Sequence, residues 1–146
     1  MIYWDTSCVL KLYTPEPDSP AYLELVREST EPLLSSEILS AELYCALCQK
    51  ELRGDIKPGA TERVYKKFLS DCKAGRWVLI PVGMDVINQA TQAARACYQH
   101  RPPVPLRTVD GLHLGTALLA DVTQLVTADR RMRAAAGVLG LEFIDV

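Results

Sequence analysis

Short apolar runs alternate along the whole chain with segments of helical pattern, and this alternation restricts the fold more than any other feature. The runs "IYWD", "PLLSS", "WVLIPV", "QLVTAD" and "LEFIDV" predict five strands. The segments between them predict helices, because apolar residues recur there near helical spacing. Strands that are separated by helices and are apolar on both sides are typical of a parallel sheet covered on both faces. We therefore predict one α/β domain that spans residues 1–146.

Length and composition fit a single soluble domain. The chain has 146 residues, of which 49% are apolar, enough for one core and too few for two comfortable domains. No apolar run reaches the roughly 18 residues that a membrane span requires, and no secretory signal begins the chain. We expect a cytoplasmic protein with no membrane partner. The net charge of −2 argues mildly against a general nucleic-acid binder, since such proteins are usually basic.

The five cysteines show no disulfide framework, which agrees with reduced thiols in a cytosol. Cys45 and Cys48 form a C-x-x-C within an apolar helical stretch. No second pair accompanies them, and the two histidines show no zinc-finger spacing. We expect packing thiols here rather than a zinc or redox site.

Three aspartates stand where predicted helices begin. Asp5 and Asp129 each end an apolar strand, and Asp110 starts the helical segment "DGLHLGTALLA". Ligands bind at the carboxyl ends of parallel strands, at the point where the strand order reverses. If the first and fourth strands are neighbours, Asp5 and Asp129 face one crevice. Helix capping explains any one of these aspartates alone equally well, since Asp is a favoured N-cap.

Glu42 has no such explanation, because it lies in the middle of a predicted helix. Its neighbours three and four positions away are all apolar, so its side chain shares their face. A carboxylate on an apolar face needs a partner, since an unpaired buried charge is costly. A shared acidic site is one explanation. An ion pair with an Arg or Lys of the same chain is the other, and Arg53 and Gln49 lie on roughly the same side of the helix.

Together these motifs resemble the PIN-domain nucleases, and among them the VapC toxins of toxin–antitoxin pairs. The resemblance rests on "DTS" after the first strand, "SSEILSAELYCAL", "RTVDGLHLGTALL" and "LVTADRRM", in that order. It implies a five-stranded parallel sheet with strand order 3-2-1-4-5 and helices on both faces. It also implies an acidic cluster with polar support: Asp5, Glu42, Asp110 and Asp129 as catalytic and metal-binding residues, and Ser7 and Thr127 as their supports.

The same resemblance implies the activity and the partners. These are endoribonuclease activity dependent on Mg²⁺ or Mn²⁺, an RNA substrate, a homodimer and a cognate antitoxin protein. Gly111 and Gly115 replace alanines that are more usual in the family, and we expect a less rigid helix there. We interpret His113, one turn from Asp110, as a packing or supporting residue rather than an acid–base catalyst.

The chemistry of the four acids agrees with this interpretation. Converging carboxylates repel one another unless a cation neutralises them, and Mg²⁺ prefers oxygen ligands from carboxylates and phosphates. Basic residues near the predicted site are candidate phosphate contacts, although an ordinary solvated surface explains each of them as well. The candidates are Arg130, Arg131, Arg133 and Lys11, with Arg101 and Arg107 in or near the rim.

Other functions are less consistent with the sequence. A haloacid-dehalogenase phosphatase needs a second Asp two residues after the first, where Ser7 stands. A receiver module needs an Asp ending the third strand, and Asp85 lies beyond that strand. A PIN-like RNA- or protein-binding module remains the main non-enzymatic alternative. A housekeeping RNA-processing nuclease is the main enzymatic one.

Overall fold

A computed structural model describes residues 1–146 and contains one five-stranded parallel sheet. The strands are β1 (Ile2–Trp4), β2 (Leu33–Ser36), β3 (Trp77–Ile80), β4 (Gln124–Val126) and β5 (Glu142–Ile144). Their order in the sheet is β3-β2-β1-β4-β5, and every neighbouring pair is parallel. The predicted fold class and strand order are confirmed. The first and fourth strands lie side by side, so their carboxyl ends share one edge of the sheet.

Seven helices connect and cover the strands. They are α1 (Thr6–Tyr13), α2 (Ser19–Glu28), α3 (Ile38–Arg53), α4 (Ala60–Lys73), α5 (Met84–Gln99), α6 (Thr108–Leu119) and α7 (Arg130–Val138). None of them combines the length and the apolar composition that a membrane crossing requires.

Two hydrophobic cores lie on opposite faces of the sheet. One contains Tyr3 and Leu125 from the strands and buried residues of α5, α6 and α7. The other contains Trp4 and Val126 with buried residues of α1, α2, α3 and α4. Successive strand residues point to opposite faces, so adjacent positions of β1 and β4 supply both cores. This explains why adjacent residues of these strands, Tyr3 and Trp4 in β1 and Leu125 and Val126 in β4, are both apolar.

Gly115 allows α6 to pack closely against α5. A Cβ atom at this position would lie 2.8 Å from the Ala90 backbone nitrogen and 3.0 Å from the Val86 carbonyl oxygen. At Gly111 a Cβ atom would meet only ordinary contacts, the nearest at 3.5 Å. The sequence suggested that glycines loosen this helix. In the structure, Gly115 instead permits a close helix–helix contact that holds α6 beside the sheet.

The cysteines follow the prediction only in part. Cys8 and Cys97 are buried, as expected of packing thiols, and all five cysteines are free. Cys45 and Cys48 are exposed on α3, so the expectation that this pair packs in an apolar interior is wrong. The apolar character of α3 comes from its other face, where Leu39, Leu43 and Leu47 are buried.

Candidate active site

Asp5 follows β1 directly and is held by two hydroxyl groups. Its Oδ2 accepts hydrogen bonds from Ser7 Oγ at 2.6 Å and from Thr127 Oγ1 at 2.9 Å. Asp5 precedes α1 but makes no side-chain capping hydrogen bond. Only 9% of its side chain is exposed. The capping explanation therefore fails here, and the carboxylate points to its polar neighbours at the edge of the sheet.

The end of β4 is joined to the end of β1 through the same hydroxyls. The Ala128 amide donates to Ser7 Oγ at 3.2 Å, and the Asp129 amide donates to Thr127 Oγ1 at 3.1 Å. Asp129 does cap its helix, since its Oδ1 accepts from the Arg131 amide at 2.8 Å. Its other oxygen remains available to a second group. Capping and a role in the site are thus compatible at this residue.

Arg107 bridges Asp110 and Asp129. Its Nε and Nη2 donate to the two oxygens of Asp110 at 2.7 and 3.0 Å, and Nη2 also donates to Asp129 Oδ2 at 2.9 Å. Asp110 is the third residue of α6 rather than its first, and it makes no capping bond. The hydrogen bonds and charge of Asp110 raise the pKa of Arg107 above its usual value. The guanidinium neutralises carboxylates that would otherwise repel one another.

Glu42 is paired with residues of α1 and α6, not with a residue of its own helix. Its Oε2 accepts from Thr6 Oγ1 and from His113 Nε2, each at 2.6 Å. Arg53, the alternative partner, instead pairs with Asp55. Burial alone would raise the pKa of Glu42. The hydrogen bond and the electrostatic interaction with His113, together with the hydrogen bond from Thr6, lower the pKa by more than burial raises it. The pKa therefore lies below its usual value.

His113 joins Glu42 to the interior of the protein. Its side chain is 1% exposed, and its Nδ1 lies 2.7 Å from the Tyr3 hydroxyl oxygen. Its Nε2 also lies 4.0 Å from Asp5 Oδ1. Hydrogen bonds through Thr127 and Arg107 therefore link Asp5, Asp129 and Asp110. Glu42, with Thr6 and His113, forms a second hydrogen-bonded group that approaches the first at this 4.0 Å contact.

The sequence places Arg107 only in or near the rim, whereas in the structure Arg107 lies between Asp110 and Asp129. For His113 the sequence predicts a packing or supporting residue, and its contact with Glu42 is that of a supporting residue. The available signal for Arg107 was its spacing, three residues before Asp110 at a helix start, since side chains three apart on a helix meet. For His113 it was a buried polar residue on an otherwise apolar helix, which requires hydrogen-bond partners.

Comparison with known proteins shows the family of the chain. Residues 2–138 match the family model described as the PIN domain. The chain belongs to the PIN-domain family. It is 33% identical to ribonuclease VapC46 of Mycobacterium tuberculosis over 145 residues, which are 98% of this chain and 95% of that protein. It is 29% identical to ribonuclease VapC35 of the same organism, over 99% of this chain and 96% of that protein.

Solved structures share the fold of this PIN domain at low sequence identity. VapC20 of Mycobacterium tuberculosis, described as a sarcin-ricin loop cleaving toxin, matches with a TM-score of 0.67 at 14% identity, covering 97% of this chain and 99% of that one. VapBC2 from Rickettsia felis, bound to a DNA fragment from its promoter, matches with a TM-score of 0.65 at 20% identity, covering 99% of this chain and 100% of that one. These likenesses concern the fold alone.

The basic residues near the PIN-domain site divide into engaged and free side chains. Lys11 forms ion pairs with Glu16 and Asp18, and Arg133 donates to the Thr127 carbonyl oxygen and to Asp145. Their charges are already used within the protein, which argues against both as phosphate contacts. Arg130 is exposed and makes no ion pair. Arg131 is 59% exposed and forms only a loose ion pair, in which its Nε lies 3.7 Å from Asp129 Oδ1.

The acids of the PIN domain suit a hard divalent cation by their chemistry. All four candidate side chains present oxygen, the donor that Mg²⁺ and Mn²⁺ prefer. No group of three or more His, Cys, Asp or Glu side chains is arranged to hold a metal ion. Three of the four acids already have a basic partner within the protein. His113 binds Glu42, and Asp110 and Asp129 are engaged by Arg107 in this structure.

Proposed function

We propose that this PIN domain is a metal-dependent endoribonuclease that acts as the toxin of a toxin–antitoxin pair. One observation carries the proposal: four carboxylates come together beside the ends of β1 and β4. Three of them, Asp5, Asp129 and Asp110, are linked by hydrogen bonds through Thr127 and Arg107. The fourth, Glu42, is held by His113, whose Nε2 lies 4.0 Å from Asp5 Oδ1. End-to-end similarity to two curated VapC ribonucleases supports the choice of RNA as substrate. Neither support depends on the other.

The resident cation would be Mg²⁺ or Mn²⁺, held by Asp5, Glu42, Asp110 and Asp129. A bound cation of this kind lowers the pKa of a water molecule and stabilises charge on the phosphate oxygens. The chain's own residues prepare the site for it. Ser7 and Thr127 fix the orientation of Asp5, and Thr6 and His113 fix that of Glu42.

Arg107 is the residue best placed to contact the substrate. Its side chain is 57% exposed, and it is held only by the two carboxylates that a cation would neutralise. Once released, the guanidinium would lie within reach of a phosphate group, which it binds well as a planar donor. Arg130 and Arg131, exposed at the start of α7, are further candidate phosphate contacts.

The proposed partners follow from the proposed role as a toxin. A small cognate antitoxin would hold the nuclease inactive, as the VapBC2 complex from Rickettsia felis suggests for this group. The active form would be a cytoplasmic homodimer. A neighbouring antitoxin gene distinguishes a toxin from a housekeeping RNA-processing nuclease, which needs no such partner.

Cleavage of total transfer RNA and ribosomal RNA tests the proposal. The antitoxin-free protein should cut RNA with Mg²⁺ or Mn²⁺ and lose this activity in EDTA. The Asp110→Asn variant removes one carboxylate charge, and activity should fall on the order of a thousandfold, since metal ligands supply several kcal/mol of transition-state stabilisation. Circular dichroism verifies that the variant is folded. A folded wild-type protein that binds these RNAs without cutting them would favour the binding module instead.

A further inference from the structure

The two carboxylates that contact hydroxyl groups share an unusual pattern of hydrogen bonding. In Asp5 both hydrogen bonds fall on Oδ2, from Ser7 and Thr127. In Glu42 both fall on Oε2, from Thr6 and His113. Asp5 Oδ1 and Glu42 Oε1 accept no hydrogen bond from the protein. Each carboxylate is thus held by one oxygen and presents the other.

The hydrogen-bond directions around Glu42 follow from the donor inventory. A carboxylate only accepts, so His113 Nε2 must carry a proton toward Oε2. The Thr6 hydroxyl gives its one proton to the same oxygen, and its oxygen, 3.3 Å from Nε2, can only accept there. The other ring nitrogen, Nδ1, faces the Tyr3 hydroxyl, which can both donate and accept a hydrogen bond.

Tyr3 is suited to fix the orientation of this ring. It is fully buried at the centre of β1, and its hydroxyl lies 2.7 Å from Nδ1. Burial raises the pKa of Tyr3 far above its usual value, so the hydroxyl stays protonated and remains a donor. The ring of Tyr3 meets that of His113 edge-on at 5.8 Å. A strand of the sheet therefore determines how the imidazole on α6 faces the acid on α3.

We infer that His113, oriented by Tyr3, is a positioning residue that fixes Glu42 as a ligand through a single oxygen, Oε1. The inference rests on the proposed function, because it assigns His113 a role in the same metal site. A histidine that only packed in the core would need no hydrogen bond to Glu42. His113 donates to Glu42 at 2.6 Å across 71 positions of sequence.

The position of the donor atom separates positioning from packing. In His113→Gln the amide nitrogen extends to the place of Nε2, so the donor to Glu42 is kept and the contact with Tyr3 is lost. In His113→Asn the amide reaches only the place of Nδ1, so the donor to Glu42 is lost. Tyr3→Phe removes one hydroxyl and leaves His113 in place. His100→Asn, a change of an exposed histidine at the end of α5, is the matched control.

Titration with Mn²⁺ by calorimetry, without RNA, is the primary measurement, and RNA cleavage gives kcat and KM separately. His113→Asn should weaken Mn²⁺ binding about 10–100-fold and lower kcat to a similar extent with little change in KM, as expected of a lost partner of a metal ligand. His113→Gln should recover most of this loss. Tyr3→Phe should lie between wild type and His113→Asn, and His100→Asn should match wild type.

Four outcomes would overturn the inference. A folded His113→Asn variant with wild-type Mn²⁺ affinity would make His113 a packing residue, while cleavage by wild type would leave the proposed function standing. An equal loss of Mn²⁺ affinity in His113→Gln and His113→Asn would show that the size of the side chain matters rather than the hydrogen-bond donor to Glu42. If neither histidine variant folds, wild-type Mn²⁺ affinity in Tyr3→Phe would contradict the role of Tyr3. A wild-type protein that neither binds Mn²⁺ nor cuts RNA would remove the proposed function and this inference together.

Discussion

The four acids of the site are held in two different ways. Asp5 and Glu42, the hydroxyl-held pair, receive hydrogen bonds from hydroxyls and an imidazole and keep one oxygen free. Asp110 and Asp129, the arginine-bridged pair, have all four oxygens engaged by Arg107 or by a backbone amide. In the proposed metal site, the first pair would receive a cation as it stands, whereas the second pair would first have to release Arg107. The two halves of the proposed site would thus differ in readiness rather than in composition.

The largest effect is expected from Asp5→Asn, in the hydroxyl-held pair. The carbonyl oxygen of Asn can still accept from Ser7 and Thr127, so the fold should be kept. The free position then carries an amide that cannot bind a cation. Cleavage should fall on the order of a thousandfold, since the variant loses several kcal/mol of transition-state stabilisation.

Steady-state cleavage and a thermal melt, measured on the same preparation, check this prediction. The melt should stay close to that of wild type. Activity within tenfold of wild type in a folded Asp5→Asn protein would contradict the importance of the free oxygen.

Thr127→Val should have the next largest effect. Thr127 is buried, and its hydroxyl both donates to Asp5 and accepts from the Asp129 amide. Removing it leaves a buried amide unpaired, which costs about 1–3 kcal/mol of unfolding free energy. Urea unfolding measures this loss. Thr91→Val, an identical change on the exposed face of α5, should change stability by less than about 0.5 kcal/mol. Equal losses in the two variants would contradict the prediction.

The sequence was sufficient for the frame of the site. Apolar runs that end in Asp5 and Asp129 locate strand ends, and the helical spacing around Glu42 places its carboxylate on an apolar face. The resemblance then supplied the strand order that brings these residues together. Each of these inferences depends on local pattern, or on motifs that keep their order along the chain.

The partners of the acids could not be predicted from local pattern. Glu42 meets His113 across 71 positions, and Arg107 meets Asp129 across 22. Such pairs depend on how α3, α6 and the sheet pack. The partners of Lys11 and Arg133 could not be predicted either. From the sequence alone, the charges of these two residues suggested phosphate contacts. Only the folded chain reveals that Glu16, Asp18 and Asp145 already neutralise them.

Arg107→Ala should have a small effect on stability and a clear effect on the response to cations. The ion pair is partly exposed, so its loss should cost at most about 1 kcal/mol. Without the guanidinium, Asp110 and Asp129 repel each other, and a divalent cation relieves this repulsion. Mg²⁺ should therefore raise the Tm of the variant more than that of wild type.

Arg53→Ala is the matched control, because Arg53 is 58% exposed and pairs with Asp55 away from the site. Its Tm should respond to Mg²⁺ as wild type does. An Arg107→Ala variant with the wild-type response would show that the guanidinium does not compete with a cation, and the distinction between the two pairs would then lose its functional meaning.

The smallest effect is expected in the pH dependence of stability, and it concerns Glu42. Its pKa is lowered in the folded protein, despite burial, by His113 and Thr6. A carboxyl group of this kind stabilises the fold above its unfolded pKa of about 4.3, and this contribution disappears as the pH falls through the folded pKa. Glu42→Gln should therefore be less stable than wild type near pH 6, and the difference should shrink on acidification. Urea unfolding at several pH values between about 6 and 3 measures it. A difference that grows in acid would mean that Glu42 is held in its protonated form, and the hydroxyl-held pair would then not carry the charge that a cation needs.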